Sequence, residues 1–416
     1  MPVDFMRKLL VERIITVFTF LAVVPLLFLS SCGQTGQAPA TFRQPVQQQT
    51  QALPPQEVQA SLPTVYGQQN LYGSAKIGMI LPLSGRLSAV GNAMRNAALM
   101  AQSDSNAADM VLDFYDSQSS EGGAAQATSS AISKGSNLIL GPLMGSSIAT
   151  VSSIANGSGV NVVSFSNDMT QARPGAYVMG VAPSSTIPRL FQYAASQGKS
   201  RIAVLAPNEV YGLTTARIAD QSAYQYGVQI VDSRFYDPSS QGAEQRGETV
   251  KSFAKSFGNY DAILIPDGGL RLREIVSLLH FHKVDPKVTK YLGTRLWDDP
   301  GLTNEAALNS GWFASTPDAQ WQSFSTQYKR QFGQMPPRPA ALAYDAVRMA
   351  ATLGSNGYGF DQSAITQHAG FAGIEGTFRF LSDGSSQRQL EIKEITKQGI
   401  VVREAAAGSF DTGTGF

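Results

Sequence analysis

The sequence predicts an α/β fold of two lobes, each built on a doubly wound parallel sheet. Three observations point there. From Ala75 onward, apolar runs short enough for strands alternate with longer stretches of helical pattern. Most runs end in a loop of Gly, Ser, Asn or Asp that opens the next helix, as in sheets that bind ligands at the carboxyl ends of their strands. The whole series then starts again after Pro183.

The first strand is carried by Ile77, Met79, Ile80, Leu81 and Leu83, a near-continuous apolar run of the kind found in a strand covered on both faces. Pro82 ends it. Ser84, Gly85 and Ser88 then bring small hydroxyls and free backbone N–H groups to the head of the next helix, where a carboxylate or carbonyl can be held. Val111 to Tyr115 is a second strand ending at Asp116, and Glu121 to Lys134 is a helix closed by Gly135. Leu138 to Leu140 runs into Gly141-Pro142 and then Gly145-Ser146-Ser147, and Val160 to Phe165 is the fourth strand.

In the second series, helix Ser185 to Gln197 is stopped by Gly198, and strand Arg201 to Leu205 enters the loop Pro207 to Gly212. Helix Leu213 to Tyr226, strand Gln229 to Tyr236, helix Ala243 to Phe257, strand Ala262 to Pro266 and helix Leu270 to His282 follow in turn. Thr289 to Leu292 leads into Gly293-Thr294-Arg295-Leu296-Trp297-Asp298-Asp299-Pro300. Two further helices, Trp321 to Phe332 and Ala340 to Leu353, precede three alternating segments, Thr377 to Leu381, Gln389 to Thr396 and Ile400 to Arg403. These read as antiparallel strands, with turns at Asp383-Gly384 and Gln398-Gly399. Ala405 to Phe416 is small and polar and is expected to be a frayed tail.

At 416 residues, with 43% apolar residues and a formal charge of +1, the chain has room for two lobes and carries no bias toward nucleic acid. Its first 31 residues read as a secretory signal: Arg7, Lys8 and Arg13, an apolar core from Ile14 to Leu29, then Ser30 and Ser31 before Cys32. That core falls short of the roughly 20 residues of a spanning helix. Residues 32–74 are rich in glutamine and proline, with only Arg43 and Glu57 charged, and read as a disordered tether.

The inventory for catalysis is thin, so the chain reads as non-enzymatic, with no cofactor and no metal. His280 and His282 stand two apart on a predicted helix and point to different faces, which does not suit one metal ion. No GxSxG elbow occurs, and Gly198-Lys199-Ser200 lacks the upstream glycine of a phosphate loop, Tyr193 standing in its place. A binding cleft needs only hydroxyls and backbone donors. The same serines could equally cap helices.

The order of the motifs PLSG, GP followed by GSS, SFSND, VYG, GTRLWDDP and AYDAV, from Lys76 to Arg403, resembles type I periplasmic binding proteins of the leucine/isoleucine/valine-binding class. That resemblance implies one functional unit over 75–404 whose chain crosses between lobes three times. The crossings would lie near Val181 to Pro183, Leu296 to Pro300 and Asn356 to Phe360, giving lobe 1 as 75–182 with 300–357 and lobe 2 as 183–299 with 358–404. It implies that Ser146 and Ser147 hold a ligand carboxylate, that Ser164 and Ser166 contact the carboxylate and ammonium of an amino acid, and that Tyr211 faces the cleft from the second lobe. Ser84 would join them.

The second lobe departs from the pattern. Where the transport proteins commonly place a glutamate for the ligand ammonium, Arg295, Leu296 and Trp297 intervene before Asp298 and Asp299. The resemblance thus puts Arg295, Trp297 and Asp298 at the ligand, where the ammonium partner should be, and selectivity should move away from free leucine, isoleucine or valine. Gly293 to Asp298 followed by Gly311 to Ala314 is more similar to the lipoprotein branch of the fold, which includes activators of penicillin-binding proteins. Leu29-Ser30-Ser31-Cys32 resembles a lipobox, which implies acylation of Cys32, and Gly33 after it implies the periplasmic face of a bacterial outer membrane. The partners so implied are the membrane through the lipid, a peptidoglycan synthase, or an ABC permease with an amino acid or peptide as ligand.

Overall fold

The structure is a computed structural model and describes residues 75–107 and 109–410. The signal, Cys32 and the tether lie outside the described residues.

The first lobe is a five-stranded sheet of β1 (Lys76–Leu81), β2 (Val111–Asp116), β3 (Leu138–Leu140), β4 (Asn161–Ser164) and β5 (Ala176–Val178). The strands are parallel and ordered β2-β1-β3-β4-β5. Alternate side chains of β1 enter different cores, because successive Cβ atoms point to opposite faces of a strand. Ile77, Met79 and Leu81 join the core shared with α1 (Ser88–Asp104), whereas Ile80 joins Ile139 and Val162 under α2 (Glu121–Ser133) and α3 (Ile148–Asn156). Both faces are therefore covered, which is why β1 reads as an unbroken apolar run.

The second lobe repeats the plan with α4 (Pro183–Ser196), β6 (Arg201–Pro207), α5 (Val210–Ala223), β7 (Gln229–Tyr236), α6 (Ala243–Ala254), β8 (Ala262–Ile265), α7 (Gly269–Phe281), β9 (Lys290–Gly293) and β10 (Trp312–Ser315). Ile202, Val204 and Ala206 of β6 face the core of α4 and α5; Ala203 and Leu205 face that of α6 and α7. Gly198 ends α4 with φ +72°, the left-handed conformation expected of it. The remaining elements are α8 (Asp318–Phe332), α9 (Pro339–Ser355), α10 (Gln362–Ile365), the hairpin of β11 (Phe378–Phe380) and β12 (Ser386–Arg388), and the hairpin of β13 (Glu391–Thr396) and β14 (Gly399–Glu404). The second sheet runs β14-β13-β10-β9-β8-β6-β7, with β13 antiparallel to β10.

The chain crosses between lobes three times, the first time after Val178, close to the expected place. The other two crossings lie further along the chain than expected. Trp312 and Phe313 pair with Leu292 and Gly293, so the chain stays in the second sheet through β10 and leaves it only at Thr316–Pro317 before α8. Four buried residues, Trp312 to Ser315, are too few to announce a strand by periodicity. The return comes between Arg388 and Glu391, because Phe371, Phe378 and Phe380 belong to the first lobe's core while Leu390 and Ile392 belong to the second's. The Asp383-Gly384 turn joins Phe378–Phe380 to Ser386–Arg388, rather than to the strand that begins at Glu391.

The expected frayed tail is tied down as far as residue 410. The Thr377 hydroxyl donates to the Gly408 carbonyl at 3.0 Å, and the Arg379 guanidinium lies 4.3 Å from the centre of the Phe410 ring. Residues 411–416 lie outside the described residues. No described helix is long and apolar enough to cross a membrane.

Candidate interlobe binding site

The carboxyl ends of the parallel strands in both lobes open toward the crossings, and a recess of about 240 Å³ lies there. The loops after β3 and β4 supply Leu143, Phe165, Ser166 and Asn167, the first crossing supplies Val181, and the head of α9 supplies Pro339 and Leu342, with Arg338 just before it. Glu375 comes from the loop ahead of β11. Opposite them stands Arg295 of the second lobe, in the turn that follows β9.

Glu375 is the electrostatic centre. Its side chain is 1% exposed, and its two oxygens take different partners: Arg295 donates to Oε2 at 2.6 Å and Arg338 to Oε1 at 3.2 Å. Its loop is held from two sides. Asp345 of α9, fully buried, accepts from the backbone N–H of Ile374 at 2.6 Å and of Glu375 at 3.3 Å, while Arg388 donates to the carbonyls of Glu375 and Gly376 at 3.0 and 3.2 Å. The same Arg388 donates to the carbonyl of Met179 at 3.0 Å, so it ties the first crossing to the third. Burial pushes the Asp345 carboxyl up to about 7, against the pull of Arg388 and the two N–H donors.

A second charged group adjoins the first. Arg338 lies 4.3 Å from the centre of the Trp321 ring and 3.8 and 3.7 Å from Asp298 and Asp318. Lys393 of β13, fully buried, reaches Asp318 at 2.8 Å and Asp298 at 3.3 Å, and the Ser315 hydroxyl donates to Asp298 at 2.6 Å. Asp298 is thus already engaged by Lys393 and Ser315. A ligand ammonium would find Glu375, the carboxylate in the recess lining, and Asp298, beside Arg338, in use.

Of the residues singled out in the sequence, Ser166 and Arg295 line the recess. Tyr211 is not among the residues that line it; burial raises its hydroxyl pKa, opposed by a hydrogen bond with Thr294 and by the charge of Arg295. The others take different places. Ser164 is fully buried and donates to the Pro142 carbonyl at 2.8 Å, supporting the loop behind the recess. Ser147 is 1% exposed at the head of α3. Ser84 and Ser146 are exposed on the first lobe, where the Ser84 N–H donates to Asp116 at 3.1 Å. Trp297 has no surface on the cleft; it is fully buried among Tyr236, Phe253 and Phe313, and its Nε1 donates to the Asp267 carbonyl at 3.1 Å.

Arg338, Glu375, Asn167 and Leu342 escaped the sequence reading. Glu375 left a trace: it is a lone acid in the apolar stretch Phe371 to Phe378, bracketed by Gly373 and Gly376. The first bracket has a steric cause, since a Cβ at Gly373 would meet Asp345 Oδ2 at 2.5 Å. The second follows from conformation, Gly376 having φ +88°.

A family model described as periplasmic binding protein matches residues 74–369. An uncharacterised protein of Rickettsia prowazekii is 21% identical over 326 residues, which are 76% of this chain and 85% of that protein. A solved structure described as a branched-chain amino acid ABC transporter protein from Rhodospirillum rubrum matches with TM-score 0.67 at 18% identity, covering 79% of this chain and 99% of that one. LivJ of Streptococcus pneumoniae, a branched-chain amino acid transporter substrate binding protein solved with isoleucine, matches with TM-score 0.54 at 19% identity, covering 80% and 100%. At these identities the likeness to solved structures shows the fold, the type I periplasmic binding fold.

Proposed function

The chain belongs to the periplasmic binding protein family, and we propose that it is a non-enzymatic lipoprotein, anchored through Cys32, that captures a small carboxylate with an apolar body between its lobes. The recess carries this reading. Leu143, Phe165, Val181, Pro339 and Leu342 suit an apolar body, and Arg295, Arg338, Ser166 and Asn167 suit a carboxylate. Glu375 in the recess lining and Asp298 beside Arg338 are already paired, which disfavours a free amino acid. Calorimetry on the full-length protein tests it with isoleucine and with 3-methylpentanoate, which has the same carbon skeleton without the ammonium. Tighter binding of 3-methylpentanoate is expected; tighter binding of isoleucine would sink this ligand class.

For the membrane partner, the leading reading is a peptidoglycan synthase that responds to the lobes, as in the activator-like lipoproteins that the sequence resembles. Two observations support it: the glutamine- and proline-rich tether, and the apolar residues Val210 and Leu270. These are 83% and 81% exposed beside the Glu209–Arg271 ion pair, at the heads of α5 and α7, where a protein could dock. The second reading, an ABC permease, is supported by the transport descriptions of the solved neighbours. Deleting the gene separates them. Altered peptidoglycan cross-linking with unchanged uptake of the labelled carboxylate supports the synthase; the reverse supports the permease.

A further inference from the structure

We infer that Glu375 is a resident occupant of the ligand site: an intramolecular carboxylate that bridges the lobes through Arg295 and that an incoming carboxylate must displace. This rests on the carboxylate reading for its ligand and on geometry alone for the bridge.

The geometry has three parts. Glu375 belongs to the first lobe and Arg295 to the second, so their 2.6 Å contact spans the cleft as a bound ligand would. The carboxylate is 1% exposed, yet Arg295 retains 28% of its side-chain surface, so an anion entering the recess has access to the guanidinium from the open side. Finally, the backbone on either side of Glu375 is fastened by Asp345 and Arg388. Those bonds hold the loop in place while the side chain exchanges. Displacement therefore needs only rotation of the Glu375 side chain, with Arg338 retaining Oε1. A ligand that takes Arg295 from Glu375 then makes the contacts to both lobes itself, and closure becomes dependent on it.

The internal carboxylate competes with the ligand, so the apparent affinity is lowered by the fraction of time the bridge is closed. Hydrogen exchange on the full chain in detergent, without ligand, reads the bridge. Exchange at residues 179–182, in the first crossing, should accelerate about tenfold in Arg295→Gln, and likewise in Glu375→Gln. Titration with 3-methylpentanoate reads the competition. Glu375→Gln should bind it about tenfold more tightly than the unmodified protein, and Arg295→Gln should lose binding. If Glu375→Gln folds poorly, the Arg295→Gln exchange measurement decides by itself, since that side chain is partly exposed. Unchanged exchange in Arg295→Gln overturns the bridge. An affinity that is unchanged or lower in Glu375→Gln overturns the competition. If no variant binds 3-methylpentanoate, the carboxylate reading fails, and accelerated exchange still sustains the bridge.

Discussion

Arg388 donates to the Met179 carbonyl at 3.0 Å across 209 residues of sequence, and so joins the first crossing between the lobes to the third. A guanidinium suits this place because its rigid fork serves several carbonyls at once: those of Glu375, Gly376 and Met179. Arg388→Met should cost about 3–5 kcal/mol, because it leaves three carbonyls without a donor and Asp345 without its nearby cation. Arg388→Lys keeps the charge and loses the fork, so an intermediate loss is expected. Guanidinium unfolding of the full chain checks both; a loss below about 1 kcal/mol in Arg388→Met would contradict the role.

Gly293→Ala should unsettle the second lobe's core. A Cβ there would stand 2.0 Å from Trp297 Cδ2, so the indole must move and its bond to the Asp267 carbonyl must lengthen. Overpacking of this kind costs about 1–3 kcal/mol. Near-ultraviolet circular dichroism should change with the loss of stability, and an unchanged spectrum would count against the tight packing of Trp297.

Ser166→Ala should weaken 3-methylpentanoate binding by about 0.5–1.5 kcal/mol, the net worth of one hydrogen bond. Ser147→Ala, at a residue 1% exposed and absent from the recess lining, should leave the affinity unchanged. Calorimetry distinguishes the two, and equal losses would mean that the ligand lies nearer α3.

Asp116 links pH to stability. It accepts from the N–H groups of Leu83, Ser84 and Gln118 at 2.9, 3.1 and 2.7 Å. Desolvation raises its pKa, but the Ser84 hydroxyl and these N–H donors outweigh it and hold the carboxyl below its ordinary 3.8. A depressed folded-state value adds stability above the unfolded pKa, and that stability is lost as the pH falls through the folded one. Asp116→Asn should therefore cost about 1 kcal/mol at neutral pH, with solvent screening limiting the effect, and the gap should close below about pH 3.8. Unfolding curves at several pH values check it; a gap that widens in acid would refute the sign.

Cys32→Ala should release the protein from the membrane fraction or leave an uncleaved precursor. Unchanged fractionation and processing would count against lipidation.

The fold was legible in the sequence because strands and helices announce themselves through local periodicity. β7 spans Gln229–Tyr236, as the sequence predicts, and α2, α6 and α7 fall within a few residues of theirs. The crossings were less legible: β10 is four residues long and buried on both faces, so neither alternation nor length marks it. The site was least legible, because hydroxyls at strand ends serve equally well as structural supports, as Ser164 does for Pro142.

The sequence by itself determined two lobes of parallel sheet and the loops at their strand ends, since hydrophobic pattern and turn chemistry are properties of neighbouring residues. Tertiary structure alone decided which charges meet. Arg295 and Glu375 are 80 residues apart, and Asp298 and Lys393 are 95 apart. Burial of Glu375 to 1% exposure and of Lys393 to zero explains why each stands beside opposite charge, because an ionised group removed from water is tolerated only beside a partner. No local pattern encodes a partner brought in by a separate crossing of the chain.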